Sequence, residues 1–137
     1  MGIRIFNNTS ILERALDAAW LRNEAISNNL ANVDTPGYKR QIVEFENFLA
    51  EALDKKKIEG YRTHDKHIPI GRQPARNIPI KIQEDRTGSQ MRMDKNNVDI
   101  DAEMALLAKN NIYYNAVVQQ LARQFNGLKT VIKDGGR

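Results

Sequence analysis

The chain has 137 residues, of which 28% are charged, and its formal net charge is +4. A chain of this length is expected to form one domain. Because the sequence contains no cysteine, disulfides, thiolate metal sites and cysteine nucleophiles are excluded. No stretch approaches the roughly 20 apolar residues that a membrane-spanning helix needs, and the first residues lack the apolar run of a secretory signal peptide.

The first predicted element is an amphipathic helix over residues 10–33. Ser10 and Glu13 form a capping-box pattern, which predicts that the helix begins there. The apolar positions recur at heptad spacing, with one asparagine inside the series, as in a coiled coil. The residues of this seam are Leu12, Leu16, Ala19, Asn23, Ile26 and Leu30.

The end of this helix runs into an unusual stretch of asparagines and turn residues. The proline at position 36 favours an extended backbone at Thr35, and Pro36-Gly37 suits the two central positions of a type II turn. The asparagine amides can bond either backbone groups or another chain. We interpret the stretch as a subunit-contact motif, against the simpler alternative of an ordinary helix end. Its residues are Asn28, Asn29, Leu30, Ala31, Asn32, Thr35, Pro36, Gly37, Tyr38 and Lys39.

The middle of the chain is heterogeneous. Residues 41–53 carry a third helical apolar face, and from residue 58 to 97 the prolines and glycines argue against a long helix. The alternation over residues 78–82 predicts an edge strand, with residues 90–93 as its partner.

The same region carries the basic excess of the chain. Between residues 55 and 95 there are 11 Lys/Arg against 5 Asp/Glu. Such an excess is typical of a solvated loop, and it also suits nucleic acid, anionic lipid or an acidic protein surface.

The last predicted element is a long helix over residues 99–133. Asp99, Asp101 and Glu103 lie in or before its first turn, where negative charge favours the helix dipole, and Gly135 marks its end. Its heptad pattern spans more than four repeats and again contains one asparagine. The seam consists of Met104, Leu107, Asn111, Tyr114, Val118, Leu121, Phe125 and Leu128, with Ile100 and Ile132 at its two ends.

The two narrow seams predict a mainly α fold in which the N- and C-terminal helices form an antiparallel coiled-coil hairpin. Residues 1–34 and 99–137 would then make one domain, and residues 35–98 a motif turn, a short helix and a projecting irregular, partly β segment. With the chain ends aligned, Asn23 is expected near Asn111, in a polar layer that lowers stability but fixes the register. The apolar residues left for neighbouring molecules are Trp20, Ile112 and Val117.

No constellation of residues supports catalysis. Phosphate-binding glycine motifs are absent, and no serine has a base partner in a motif. We therefore expect no enzyme activity, no cofactor and no metal. His64 and His67 suit a solvated loop better than a metal site. Asp99-x-Asp101-x-Glu103 suits a helix start better than a calcium loop, since the loop glycine is missing.

The stretch over residues 28–39 resembles the signature of the flagellar axial protein family, which comprises rod, hook and hook-associated subunits. The pattern N-N-L/I-A-N-x-x-T-x-G-Y/F-K matches at every named position. Pro36 and Tyr38 are similar to the proximal-rod versions of this signature. A further resemblance to proximal rod subunits lies in residues 97–104, residues 107–110 and Tyr114.

The resemblance implies a structural subunit of the bacterial flagellar basal-body rod, in its proximal part. Such a subunit is exported by the flagellar type III system without a cleaved signal peptide and polymerises in the periplasm. The implied partners are copies of itself, other rod proteins, the rod-base adaptor, and membrane-ring and export-gate proteins. The rod links the membrane ring and the export gate to the distal rod. The resemblance implies neither nucleic-acid binding nor a direct membrane span. In this family the paired terminal helices form the inner tube of an axial structure.

The residues alone leave one alternative open, a basic coiled-coil protein that binds nucleic acid. Against it, Tyr61 is the one aromatic residue available for base stacking between residues 55 and 95.

Overall fold

The structure is a computed structural model that describes residues 2–53, 77–85 and 95–135, with side chains from residue 8 onward. Over these ranges the elements are α1 (Gly2–Ala31), β1 (Gln41–Glu44), α2 (Glu46–Leu53), β2 (Lys81–Glu84) and α3 (Ile100–Asp134). His64, His67 and the strand predicted over residues 90–93 lie outside the described residues.

The two long helices begin for different reasons. α1 begins at Gly2, about two turns before the predicted start, so Ser10 lies inside the helix. The buried Thr9 donates its hydroxyl to Oε1 of Gln124 at 3.1 Å, and such tertiary packing outweighs a local capping signal. α3 begins as predicted, because the Asp99 carboxylate accepts hydrogen bonds from two backbone N–H groups of the first turn.

α1 and α3 pack against each other as an antiparallel pair, as the sequence predicts. Residue numbers rise along α1 while they fall along α3 through three hydrogen-bonded levels. These levels are Thr9 with Gln124, Asn23 with Asn110, and Asn29 with Glu103.

The face of α3 that meets α1 is one residue away from the predicted seam. Its buried residues are Glu103, Asn110 and Val117, and one residue corresponds to about 100° of rotation around a helix. The polar residues can lie inside because α1 and Arg40 supply their hydrogen bonds, and the apolar period alone does not show these partners. Asn23 therefore meets Asn110 rather than Asn111, and Val117 belongs to the core rather than to a free surface. The exposed members of the predicted seam are Met104, Asn111, Tyr114, Val118 and Phe125, and its half-buried members are Leu107, Leu121 and Leu128.

α1 buries a wider face than its predicted seam. Ala19 and Ile26 are buried, and the other four residues of the seam are half-buried. Small residues beside them, Ala15 and Ala18, are also buried. Their size lets the segment between the long helices pack closely against α1.

That segment contains a two-stranded sheet, β1 paired antiparallel with β2, in which Val43 lies opposite Ile82. Residues 41–44 are thus a strand rather than the start of the predicted helix, and β2 pairs with this strand. The β-branched Ile42 and Val43 favour this extended backbone.

One apolar core joins the sheet segment to the helix pair. Phe45 and Ile78 are each 1% exposed, and burying a side chain of this kind contributes about 1.5–3 kcal/mol. None of the described helices has the length and apolar content that spanning a membrane requires. The core residues are Ala15, Ala18, Phe45, Ile78 and Val117.

Candidate functional site

The motif turn begins where α1 ends at Ala31. The carbonyl of Thr35 accepts a hydrogen bond from the N–H of Tyr38 at 3.2 Å. Gly37 has φ +74°, the positive value that the third residue of a type II turn requires. The predicted turn at Pro36-Gly37 is therefore confirmed.

Asn29 acts as a substitute for a neighbouring strand. Its Oδ1 accepts from the N–H of Gln41 at 2.8 Å, and its Nδ2 donates to the carbonyl of Gln41 at 2.9 Å. One carboxamide thus makes the two hydrogen bonds that a paired strand would make on the outer edge of β1. Because Asn29 is completely buried, it shapes the fold of its own chain, and this member of the predicted contact motif is not accessible to a partner.

A buried carboxylate connects the turn to α3. Glu103 is 1% exposed and accepts from Nδ2 of Asn29 at 3.1 Å and from Nε of Arg40. Arg40 also pairs with Asp85 at 3.4 Å. Burying a charge is costly unless it is paired and hydrogen-bonded, and Glu103 meets both conditions. Burial, and next the Glu103 carboxylate, raise the pKa of Tyr38 above its ordinary value.

Asn96 holds the turn from the other side. Its Nδ2 donates to the carbonyls of Asn32, Val33 and Thr35 at 3.0, 2.9 and 3.0 Å. Its Oδ1 accepts from the N–H of Val98 at 2.8 Å. One side chain thus donates to three carbonyls of the turn that follows α1 and holds that turn in place.

Asn97 completes the end of the sheet. Its Oδ1 accepts from the N–H of Arg40 at 2.7 Å, and its Nδ2 donates to the carbonyl of Asp85 at 2.9 Å. Its carboxamide therefore bridges the last pair of residues beyond β1 and β2. The sequence pattern alone predicts no such role for Asn96 or Asn97. The available signal was two adjacent asparagines directly before a helix cap, in a chain that already clusters asparagines at the other helix end.

The remaining residues of the motif differ in their accessibility. Asn32 is half-buried, and its Nδ2 donates to the carbonyl of Asn28 at 2.8 Å. Lys39 donates from Nζ to the carbonyl of Lys95 at 2.8 Å. Leu30 and Tyr38 are half-buried as well. The exposed residues are Asn28, Ala31, Thr35, Pro36 and Gly37.

Comparisons with known proteins address this region and the whole chain. Residues 11–39, which include the end of α1 and the motif turn, match the family model described as flagella basal body rod protein. The flagellar basal body rod protein FlgB of Bacillus subtilis (strain 168) is 38% identical over 124 residues, which cover 90% of this chain and 92% of that protein. FlgB of Borreliella burgdorferi is 34% identical over 88% of this chain and 91% of its own length. FlgB of Escherichia coli (strain K12) is 28% identical over 90% of this chain and 91% of its own length. The chain therefore belongs to the FlgB family of flagellar basal body rod proteins.

Proposed function

We propose that this chain is a structural subunit of the proximal rod of the flagellar basal body. In this role it polymerises with copies of itself and with other rod proteins, and it works without catalysis, a cofactor or a metal. The observation that carries the proposal is a long apolar surface on the helix pair, which the described residues of the chain leave uncovered.

The two sides of the helix pair differ. The sheet segment covers one side, where Arg14 donates to the carbonyl of Ile78 at 2.6 Å and Arg22 donates to Glu46 at 2.8 Å. Trp20 lies two residues before Arg22, and therefore on the opposite side of α1. Its 61% exposure shows that no part of the described chain covers it.

We call the uncovered side the open face and define it by Trp20 together with the exposed apolar residues of the predicted α3 seam. Met104 and Phe125 are each 52% exposed. Continuous exposed apolar surface marks protein–protein contacts, and Trp, Tyr, Phe and Met are enriched at them. The residues of the open face are Trp20, Met104, Tyr114, Val118 and Phe125.

The open face supports packing against helices of neighbouring subunits. The exposed residues of the motif turn, Thr35, Pro36 and Gly37 among them, supply a second contact at the end of the helix pair. The partners in this proposal are rod proteins, the rod-base adaptor and components of the membrane ring and the export gate. The chain then resides in the periplasmic rod and reaches it through the flagellar type III system. The names of the curated relatives favour this role over the nucleic-acid alternative.

A pair of matched substitutions tests the proposal. Val118→Glu places a charge on the open face, whereas Thr130→Glu places one at an exposed position of α3 outside it. Each variant is produced in flagellated cells as the sole copy of this rod protein. We expect Val118→Glu to abolish incorporation into purified basal bodies and motility, and Thr130→Glu to preserve both. Normal incorporation of Val118→Glu would contradict the role of the open face.

A further inference from the structure

A groove lies between the first turns of α1 and the last turns of α3, beyond the sheet segment. Its volume is about 340 Å³. A dry cavity of about 150 Å³ is already large enough to bind benzene, so this groove has room for an aromatic side chain. We call it the end groove, and the residues that line it are Asn8, Arg123, Gln124, Gly127, Leu128 and Val131.

The end groove and the open face lie on different sides of α3. Gly127 follows Phe125 of the open face by two residues, which is about 200° of rotation around the helix. Val131 follows Gly127 by four residues and therefore lies on the same side as Gly127. Because Val131 is 70% exposed, the apolar wall of the groove is accessible to another molecule.

Gly127 has no explanation within the described part of the chain. It lies inside α3 without a positive φ, and a Cβ added to it would meet nothing within 4 Å. A glycine inside a helix is less favourable than an alanine. The missing side chain keeps the groove open and permits close approach of another chain to the backbone of α3.

Trp20 of the open face stands on an acidic side of α1. Glu13 lies seven residues before it and Glu24 four residues after it, so the three side chains share one side of the helix. Both carboxylates are exposed, and neither forms an ion pair within the described residues. An exposed aromatic ring is thus flanked by two unpaired negative charges.

The part of α3 that forms the groove is basic. Between residues 104 and 133 it contains four Lys or Arg residues and no Asp or Glu. Arg123 is exposed and forms no ion pair in the described ranges. Opposite charges favour contact between two surfaces and select the partner. The acidic side of α1 in a second copy therefore complements the groove in charge, and its Trp20 complements the groove in shape.

The spacing of the residues agrees with this occupant. Glu24 follows Trp20 by four residues, and Arg123 precedes Gly127 by four residues. α1 and α3 are antiparallel within one chain, so α1 of a second copy in the same orientation runs antiparallel to α3. When Trp20 of that copy lies at Gly127, its Glu24 consequently lies at Arg123.

We propose that Trp20 of a second copy occupies the end groove at Gly127 and that Glu24 of the same copy pairs with Arg123. The contact joins two different surfaces, so it is heterologous and extends from copy to copy without closing on itself. The inference rests on the proposed function, because it assigns one contact within the same polymer.

This contact sets the displacement between neighbouring copies. The hydrogen bonds that connect α1 to α3 place Trp20 level with about residue 113 of its own α3. Gly127 is about 14 residues further along the helix, so neighbouring copies are displaced by about 21 Å along the helix pair. A heterologous contact with such a displacement produces a helical filament rather than a flat ring.

A chemical cross-link tests the contact, because the natural chain contains no cysteine. The variant Glu24→Cys/Arg123→Cys is produced as the sole copy of this rod protein, and purified basal bodies are treated with a short bismaleimide. Within one chain the two positions are separated by the same displacement, so the reagent joins them only between copies. The control is Glu24→Cys/Lys129→Cys, because Lys129 is exposed on another side of α3.

Each chain of the first variant carries both halves of the contact. We therefore expect a ladder of dimers, trimers and longer products on a denaturing gel, and several-fold less of them from the control. Assembled rods without the ladder, which a different rod protein in the groove would give, overturn the contact and leave the proposed function intact.

Charge reversal provides a second measurement. Arg123→Glu and Glu24→Arg each place like charges at the contact, and we expect each to lower incorporation about three- to tenfold. The double variant restores opposite charges and is expected to return incorporation to within about twofold of the natural chain. A double variant that assembles no better than the single variants would overturn the pairing. Failure of the natural chain itself to enter the basal body would contradict the proposed function.

Gly127→Leu separates the groove from a merely local role of the glycine. Leucine favours a helix more than glycine does, so the free energy of unfolding of the subunit is expected to stay equal or to rise. Incorporation is expected to fall about tenfold, because the new side chain fills the groove. The matched control is Asn126→Leu, at the exposed preceding position, which should preserve incorporation. Normal incorporation of Gly127→Leu would overturn the proposal.

Discussion

Asn110 and Asn23 meet across the helix pair, with Nδ2 of Asn110 donating to Oδ1 of Asn23 at 2.8 Å. The same Nδ2 also donates to the carbonyl of Ala19. The two asparagines therefore form a polar layer inside the contact between α1 and α3. In helix pairs, such a layer selects one register at some cost in stability.

Replacing one asparagine of this layer is expected to destabilise the chain. Asn23→Leu leaves a donor of Asn110 unpaired in a buried place, which costs about 1–3 kcal/mol in the free energy of unfolding. The double variant Asn23→Leu/Asn110→Leu removes both polar groups and is expected to recover most of that loss. Urea unfolding of the natural chain, the two single variants Asn23→Leu and Asn110→Leu, and the double variant measures the coupling energy between the two side chains. Additive losses in the double variant would show that the two side chains do not act as a pair.

Asn29 and its neighbour Asn28 provide a matched test of the motif. Asn29→Ala removes both hydrogen bonds to Gln41, one to Glu103 and one from the Tyr38 hydroxyl. We expect a loss of about 1–3 kcal/mol in the free energy of unfolding. Asn28 is exposed, and Asn28→Ala is expected to stay within about 0.5 kcal/mol of the natural chain. Equal effects of the two substitutions on the unfolding free energy would contradict the internal role of Asn29.

The two perturbed tyrosines predict a loss of stability at alkaline pH. Burial is the larger cause and a nearby carboxylate the smaller cause of the raised pKa of Tyr38 and Tyr113, whose ordinary value is 10.0. The unfolded chain thus releases the hydroxyl protons of these two tyrosines at lower pH than the folded chain does. The free energy of unfolding should therefore be unaffected below about pH 9 and fall as the pH rises through about 10.

Chemical unfolding between about pH 9 and about pH 11 measures this slope. The double variant Tyr38→Phe/Tyr113→Phe lacks both hydroxyls and is expected to show a smaller decline than the natural chain. An identical decline in the two proteins would mean that other groups cause the alkaline loss.

Trp20 is the one tryptophan of the chain and is 61% exposed. In the dilute subunit, the wavelength of its fluorescence emission maximum is expected to be near that of a solvated indole. Assembly through the open face should bury the ring and shift the emission to shorter wavelength. The control is Trp20→Phe with Leu53→Trp, which moves the indole to an exposed position at the end of α2. A shift in the control but not in the natural chain would place the contact elsewhere.

Much of the helical framework is predictable from local sequence, as Asp99 and Gly37 illustrate. Asp99 caps α3 through hydrogen bonds to residues that follow it directly, and Gly37 adopts the positive φ that its turn requires. Both signals depend on a few adjacent residues. The pairing of the two terminal helices is also predictable, because both are long segments with a heptad pattern.

The buried face of α3 and the strand β1 are not predictable in the same way. An apolar heptad pattern does not say whether the partner is α1 or another molecule, and here Met104 and Phe125 remain exposed while Glu103 is buried. β1 forms where Asn29 supplies its edge hydrogen bonds. These are long-range contacts, which local periodicity does not contain.

The most direct test of the account is a density map of the assembled basal body at a resolution that shows side chains. We predict that this chain lies in the proximal rod and that Trp20 and Phe125 contact helices of neighbouring subunits. A map in which both rings face open solvent, with another surface of the chain holding it in the rod, would contradict the central claim.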